Sequence, residues 1–207
     1  MAVDTKTNAL DRFIAKTRDL FAEESDLDRR WELLRPVLQE LLDDPDVQDA
    51  STRWPDCVAK DGRAENLLFY EDPDYGFVIN GQVHEARPGV GEPTSAHDHG
   101  QNWTAYGLLD GHERIVMFER TDDGSRPDHA DVRTTKDYVA GPGDIHLAKP
   151  RDVHVELSTG ERTTSIIVRS MRDGGPNNLH GRYTVPGGDY SESPGPRQIP
   201  AEMLPAK

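Results

Sequence analysis

From about Asn66 onward the chain breaks into short runs rich in β-branched and aromatic residues, each closed by a turn signal. The runs are 66–70, 75–80, 103–109, 114–119, 153–157 and 163–168. Between them stand Asp72-Pro73-Asp74, Asp110-Gly111, Asp123-Gly124 and Gly141-Pro142-Gly143. Such sequences reverse a chain, because Gly tolerates positive φ and Pro pre-sets a turn dihedral. Many short strands with no helical pattern between them bury a common face only as a sandwich or a barrel.

The segment before them has a different period. Leu10, Phe13, Ile14, Thr17, Leu20 and Phe21 recur at three- and four-residue steps, as do Leu27, Trp31, Leu34, Leu38, Leu41 and Leu42. Each set forms one apolar stripe on a helix. Ser25 is placed to cap the second helix, Pro36 to kink or restart it, and Asp43-Asp44-Pro45 to end it. Residues 172–207 hold six Gly and six Pro, so this tail is expected to carry little regular structure, with ordered loops wrapped on the barrel left open. The 207 residues therefore divide into a helical segment at 1–58 packed on a barrel at 59–171, followed by a Gly/Pro-rich tail at 172–207.

Charge removes several partners. Acidic residues number 38 against 24 Lys and Arg, a net charge of −14. Such a chain has no basic face for a nucleic-acid backbone or an anionic membrane. The apolar share is 34 %, and no stretch approaches the roughly 18 apolar residues of a spanning helix. MAVDTKTNAL lacks the basic and apolar regions of a secretory leader. Cys57 is the only cysteine, which excludes an intrachain disulfide and fits a reducing compartment. A cytoplasmic location is expected, and the oligomeric state is open.

Two of the eight histidines lie in His97-Asp98-His99. In a strand, residues i and i+2 share a face, so both imidazoles can converge on one ion. His154, on a later run after the Gly141–Asp144 turn, is the candidate third ligand. Three imidazoles suit zinc with a water, or an octahedral iron with open positions. His84, His112 and His129 read as surface groups, His146 as a partly exposed strand residue, and His180 with Tyr183 as parts of a packed loop.

The spacing Gly91-x5-His97-x-His99-x4-Thr104-x6-Gly111 resembles the first signature of the cupin superfamily, and Gly141–Ile145 through Pro150 to His154 resembles the second. Thr104 stands where many cupins place a glutamate ligand. The resemblance spans about 66–169 and implies an all-β cupin double-stranded β-helix barrel with an N-terminal helical segment. Within the superfamily, His97-Asp98-His99-Gly100, Trp103, Gly107 and Leu109-x-Gly111-x-Glu113 are similar to the thiol dioxygenases, the cysteine and 3-mercaptopropionate enzymes. That resemblance implies Fe(II) on His97, His99 and His154, and oxidation of a small anionic thiol by O2 to a sulfinate.

The family's Ser-x-His-x-Tyr strand is altered here: Ser165 is kept, Ile167 replaces the histidine and Arg169 the tyrosine. Period-two alternation puts the three on one face, which makes Arg169 the leading substrate-anion contact and Ser165 a pocket residue. Trp103 is either a pocket wall over the iron or barrel core. Arg63 lies near the family's carboxylate-gripping position, but Glu65 occupies it. The alternatives are a cupin dioxygenase or isomerase for another small substrate, and a ligand-binding cupin without turnover.

Overall fold

The computed structural model describes residues 7–89, 91–173 and 178–205. Residues 1–6, read above as free of a leader, and parts of the Gly/Pro-rich tail, 174–177 and 206–207, lie outside the described residues.

The first apolar stripe forms α1 (Ala9–Glu23), which begins where the Asn8 side chain accepts the Asp11 backbone N–H. The second forms α2 (Leu27–Leu42), and its cap is Asp26 rather than Ser25. The Asp26 carboxylate accepts the Arg29 N–H and also complements the positive end of the helix dipole, as a hydroxyl does not. Pro36 neither ends nor restarts α2, which runs through it. Leu34 and Leu38, on either side of it, are fully buried, so packing supports the helix both before and after the proline. Pro45 opens a third helix, α3 (Pro45–Ser51), with Asp44 as its cap. Its missing N–H costs nothing in a first turn.

Twelve strands follow among the described residues: β1 (Glu65–Glu71), β2 (Val78–His84), β3 (Ser95–His97), β4 (Thr104–Asp110), β5 (Glu113–Arg120), β6 (His129–Ala140), β7 (Ile145–Ala148), β8 (Val153–Ser158), β9 (Thr163–Arg169), β10 (Leu179–Thr184), β11 (Gly187–Pro194) and β12 (Arg197–Pro200). One sheet runs β12-β1-β2-β9-β4-β7, and the other closes on itself in the order β10-β11-β6-β5-β8-β3. A mostly β chain of two sheets fits the expected double-stranded layout. The longest strand, β6, escapes a hydrophobic pattern search because Asp131, Arg133, Lys136 and Asp137 are exposed along it.

The tail departs from expectation. Rather than carrying little regular structure, it supplies β10 and β11 to the second sheet and β12 to the edge of the first. Its glycines permit close approach rather than disorder: a Cβ on Gly181 would lie 2.4 Å from Asp98 Oδ2.

Strand β9 is buried along its whole length, and its two faces meet different neighbours. Ile166 and Val168 join Trp31, Leu34, Leu38 and Leu42 in a core between the first sheet and the helices. Ile167 turns the other way and packs with Tyr106, Leu108, Ile115 and Ala140 between the two sheets. Ser165 pairs with Leu108 and Gln82 across the sheet, and Arg169 with Thr104 and Val78. Period two therefore puts Ser165 and Arg169 on the inner face with Ile167. No helix among the described residues is long and apolar enough to cross a membrane.

Candidate metal centre

Strand β3 delivers His97 opposite His154 of β8 in direct antiparallel register, and His99 follows two residues on. The ring centroids lie 5.1 Å (97–99), 4.7 Å (97–154) and 4.8 Å (99–154) apart. One ligand atom from each ring lies within 4.8 Å of the others, so the group can hold a metal ion. His97 Nε2 and His99 Nε2 are 3.2 Å apart.

The donor chemistry fits a metal. Burial lowers the His97 pKa to about 3 and that of His99 well below the ordinary range. Both rings are therefore neutral with a lone pair to give, as ligation requires. The Asp152 carbonyl lies 3.0 Å from His154 Nδ1. A carbonyl only accepts, so Nδ1 carries a proton, and in the neutral ring the lone pair is on Nε2. His99 Nδ1 and His154 Nε2 are buried without a hydrogen-bond partner. Burial opposes a charge on His154 too, but Glu156 outweighs it and raises that pKa.

Asp98, between the two ligands, points away from them and clamps their strand. Its carboxylate accepts the N–H of Gly100 at 2.7 Å, the N–H of Gly181 at 2.9 Å and the hydroxyl of Tyr183 at 2.7 Å. Burial disfavours the charge, but the Gly181 and Gly100 amides and the Tyr183 hydroxyl outweigh it, and the pKa falls. Gly100 adopts φ +62°, and a Cβ there would sit 2.4 Å from the Leu179 carbonyl oxygen. Only glycine lets the loop after His99 turn against β10 at this distance.

A cavity of about 200 Å³ beside the cluster is lined by His97, His99, Tyr106, Glu156, Arg169 and Arg182, among others. Glu156 was not anticipated, although it stands two residues after His154 and so on the same face. Its carboxylate lies 3.2 Å from His154 Nε2 and 3.8 Å from His97 Nε2. Burial works against its charge, yet the neighbouring His154 and His97 drive its pKa far down.

Arg169 reaches this cavity, but its charge is already matched. Its Nε lies 3.1 Å from Asp173 Oδ2, its Nη1 donates to Asn80 Oδ1 at 2.9 Å, and it is buried. Asp173 also holds His180, 2.9 Å away through Nε2. His180 is a buried residue whose ring centroid is 5.3 Å from that of His99, and it and Tyr183 lie on strand β10 rather than in a packed loop. The cation left over is Arg182, directly opposite His97 in the β3–β10 pairing. It donates to Ser193 Oγ at 3.1 Å and has no carboxylate partner among the described residues.

Other anticipated residues lie elsewhere. Trp103 stacks on Trp31 with centroids 6.2 Å apart and joins the helix-facing core, so the core alternative describes its position. Ser165 is buried inside the barrel without lining the cavity, its Oγ unpartnered. Arg63 donates to the Gly195 carbonyl at 2.7 Å, away from the cavity wall. His146 is buried, with Nδ1 3.1 Å from the Tyr138 hydroxyl and its ring centroid 5.3 Å from that of His154. His112 and His129 pair with Glu161 and Asp131 at the surface, while His84 lines the cavity.

No family model matches the sequence, and no curated protein sequence matches it. Among solved structures, the chain is similar to the coconut allergen cocosin (12 % identity, TM-score 0.36), covering 53 % of this chain and 24 % of cocosin. It is similar to the cupin domain of Schizosaccharomyces pombe Cnp3 (8 %, TM-score 0.38), with 55 % and 67 % covered. It is also similar to a cupin superfamily protein of Desulfitobacterium hafniense (11 %, TM-score 0.36), with 56 % and 84 % covered. Cupin proteins stand among these neighbours, each at a TM-score of 0.38 or less.

Proposed function

We propose that the chain is a mononuclear cupin oxidoreductase of thiol dioxygenase type, with Fe(II) held by His97, His99 and His154. The observation that supports this reading best is that three imidazoles, two of them buried, cluster beside a cavity lined by His97, His99 and Arg182, a guanidinium with no carboxylate partner among the described residues. Bound there, iron(II) supplies the oxygen chemistry that side chains lack. The reaction balances without another reductant: a thiolate and O2 give a sulfinate, both oxygen atoms ending on sulfur and the four electrons coming from it.

The chain's own residues bind, orient and shield. Asp152 fixes the His154 tautomer through its carbonyl. Arg182 takes the anionic end of the substrate, the role the sequence assigned to Arg169, because Asp173 already neutralises Arg169. A guanidinium suits a carboxylate through paired donors. Tyr106, whose hydroxyl donates to buried Glu113 at 2.6 Å, and Ile167 close the inner wall against water.

A second reading rests on Glu156. With its carboxylate beside the cluster, the donor set becomes three imidazoles and a carboxylate, a less positive centre suited to a different small substrate, as in ring cleavage or isomerisation. Metal analysis followed by oxygen uptake with 3-mercaptopropionate, cysteine and cysteamine separates the readings. Near-stoichiometric iron and one O2 consumed per anionic thiol support the proposal. Bound iron with no uptake on any thiol favours the second reading, and failure to retain any metal favours a ligand-binding cupin.

A further inference from the structure

A second cavity, of about 490 Å³, opens between β6 and β7 beside α2. None of His97, His99 or His154 lines it. It lies within the size range of small-molecule sites, and its wall combines apolar with charged and polar side chains. Met117, Ile145 and Leu147, each partly exposed, supply its apolar wall. At the inner wall His146 is 92 % buried, and its Nε2 has no hydrogen-bond partner.

The His146–Tyr138 contact leaves a donor unused in either tautomer. If Tyr138 donates to Nδ1, the proton of His146 sits on Nε2 and has no acceptor; if Nδ1 donates to the Tyr138 oxygen, the phenolic O–H is released instead. A buried donor without an acceptor is costly, and a ligand oxygen relieves it. The rim carries the opposite sign to the −14 chain. Arg35 reaches in from α2, donating to the Ile145 carbonyl and to Glu32. Lys136 is exposed, with Nζ 4.3 Å from the Tyr138 ring centroid and no ion pair among the described residues. The acid on this wall, Asp144, accepts the Gly141 N–H.

We propose that this cavity, which shares Tyr106 with the histidine cavity but holds none of the three ligands, binds a small amphipathic carboxylate, its head at Lys136 and at the donor left over by the His146–Tyr138 pair and its apolar body against Met117, Ile145 and Leu147. The site does not rest on the thiol dioxygenase reading, and the test uses metal-free full-length chain to keep the two apart. Hexanoate is titrated against the wild type and followed by the His146 and Tyr138 ring resonances, with hexan-1-ol as the neutral counterpart. Saturable hexanoate binding is expected, with hexan-1-ol about tenfold weaker or more, the size of one charge-assisted contact. Lys136→Gln weakens hexanoate by a similar factor, Lys136→Glu weakens it further, and Arg182→Gln leaves it unchanged. Lys136 is exposed, so neither variant at that position endangers the fold. Absence of saturation, equal affinity for acid and alcohol, indifference to Lys136, or loss in Arg182→Gln each overturns the proposal.

Discussion

Removing the Asp98 carboxylate tests the clamp on the ligand-bearing segment. Asp98→Ala leaves three buried donors unmatched: the Gly100 and Gly181 amides and the Tyr183 hydroxyl, now held at 2.7–2.9 Å. Each orphaned donor costs about 1–3 kcal/mol. Allowing for partial relaxation, the variant should lose about 4 kcal/mol of unfolding free energy, a large share of the usual 5–15 kcal/mol. Asp98→Asn is milder. Its carbonyl oxygen can still accept both amides, which share Oδ1, so the loss is the Tyr183 bond and the charge, about 1–2 kcal/mol. Tyr183→Phe removes the same bond from the other side, and the double variant should lose less than the sum of the singles. Urea unfolding followed by fluorescence reads the stability, and Co(II) titration reads the histidine centre, whose affinity should fall with the clamp. A loss below about 1 kcal/mol for Asp98→Ala, or strict additivity of the pair, would refute the reasoning.

Three further outcomes are expected. Arg182→Gln should raise KM for 3-mercaptopropionate by about 10- to 150-fold, equivalent to 1.5–3 kcal/mol, with little effect on cysteamine; equal effects on both thiols would remove its anion-binding role. Arg169→Gln should instead lower stability by about 3–5 kcal/mol, because it strands Asp173, and an unchanged urea midpoint would contradict this. Asp173 is also an acid sensor. Burial opposes its charge, but Arg169 and then His180 outweigh it and lower its pKa below 3.8. A depressed carboxylate contributes stability that is complete above its unfolded pKa and lost as pH falls through the folded one. Unfolding measured downward from pH 5 should therefore be steeper in the wild type than in Asp173→Asn, and parallel profiles would contradict the assignment.

The parts of the site legible in the sequence are those with local rules. His97 and His99 share a face by strand period, and His154 falls on a run bounded by turns. The same i+2 rule puts Glu156 beside His154, yet no pattern marks a lone glutamate on a strand as facing inward. Alternation puts Arg169 on the inner face, but its neutralisation is a tertiary fact: Asp173, itself held by His180, meets it from a segment whose Gly and Pro content reads as irregular. Trp103 lies on β4's approach, and only the position of α2, set by Leu34 and Leu38 packing on the sheet, turns it toward Trp31. Likewise Ser25 and Asp26 are both able caps, and the choice between them follows from where α1 ends.

Strand β3 is three residues long and owes its place to β8 on one side and β10 on the other. During synthesis the ribosome delivers His97, His99 and His154 well before residues 179–184, so the trio waits on a late-arriving strand. Long sequence separation of this kind slows folding. A nascent chain stalled before that point should offer loose imidazoles rather than a formed coordination sphere, which ties acquisition of the ion to the arrival of β10.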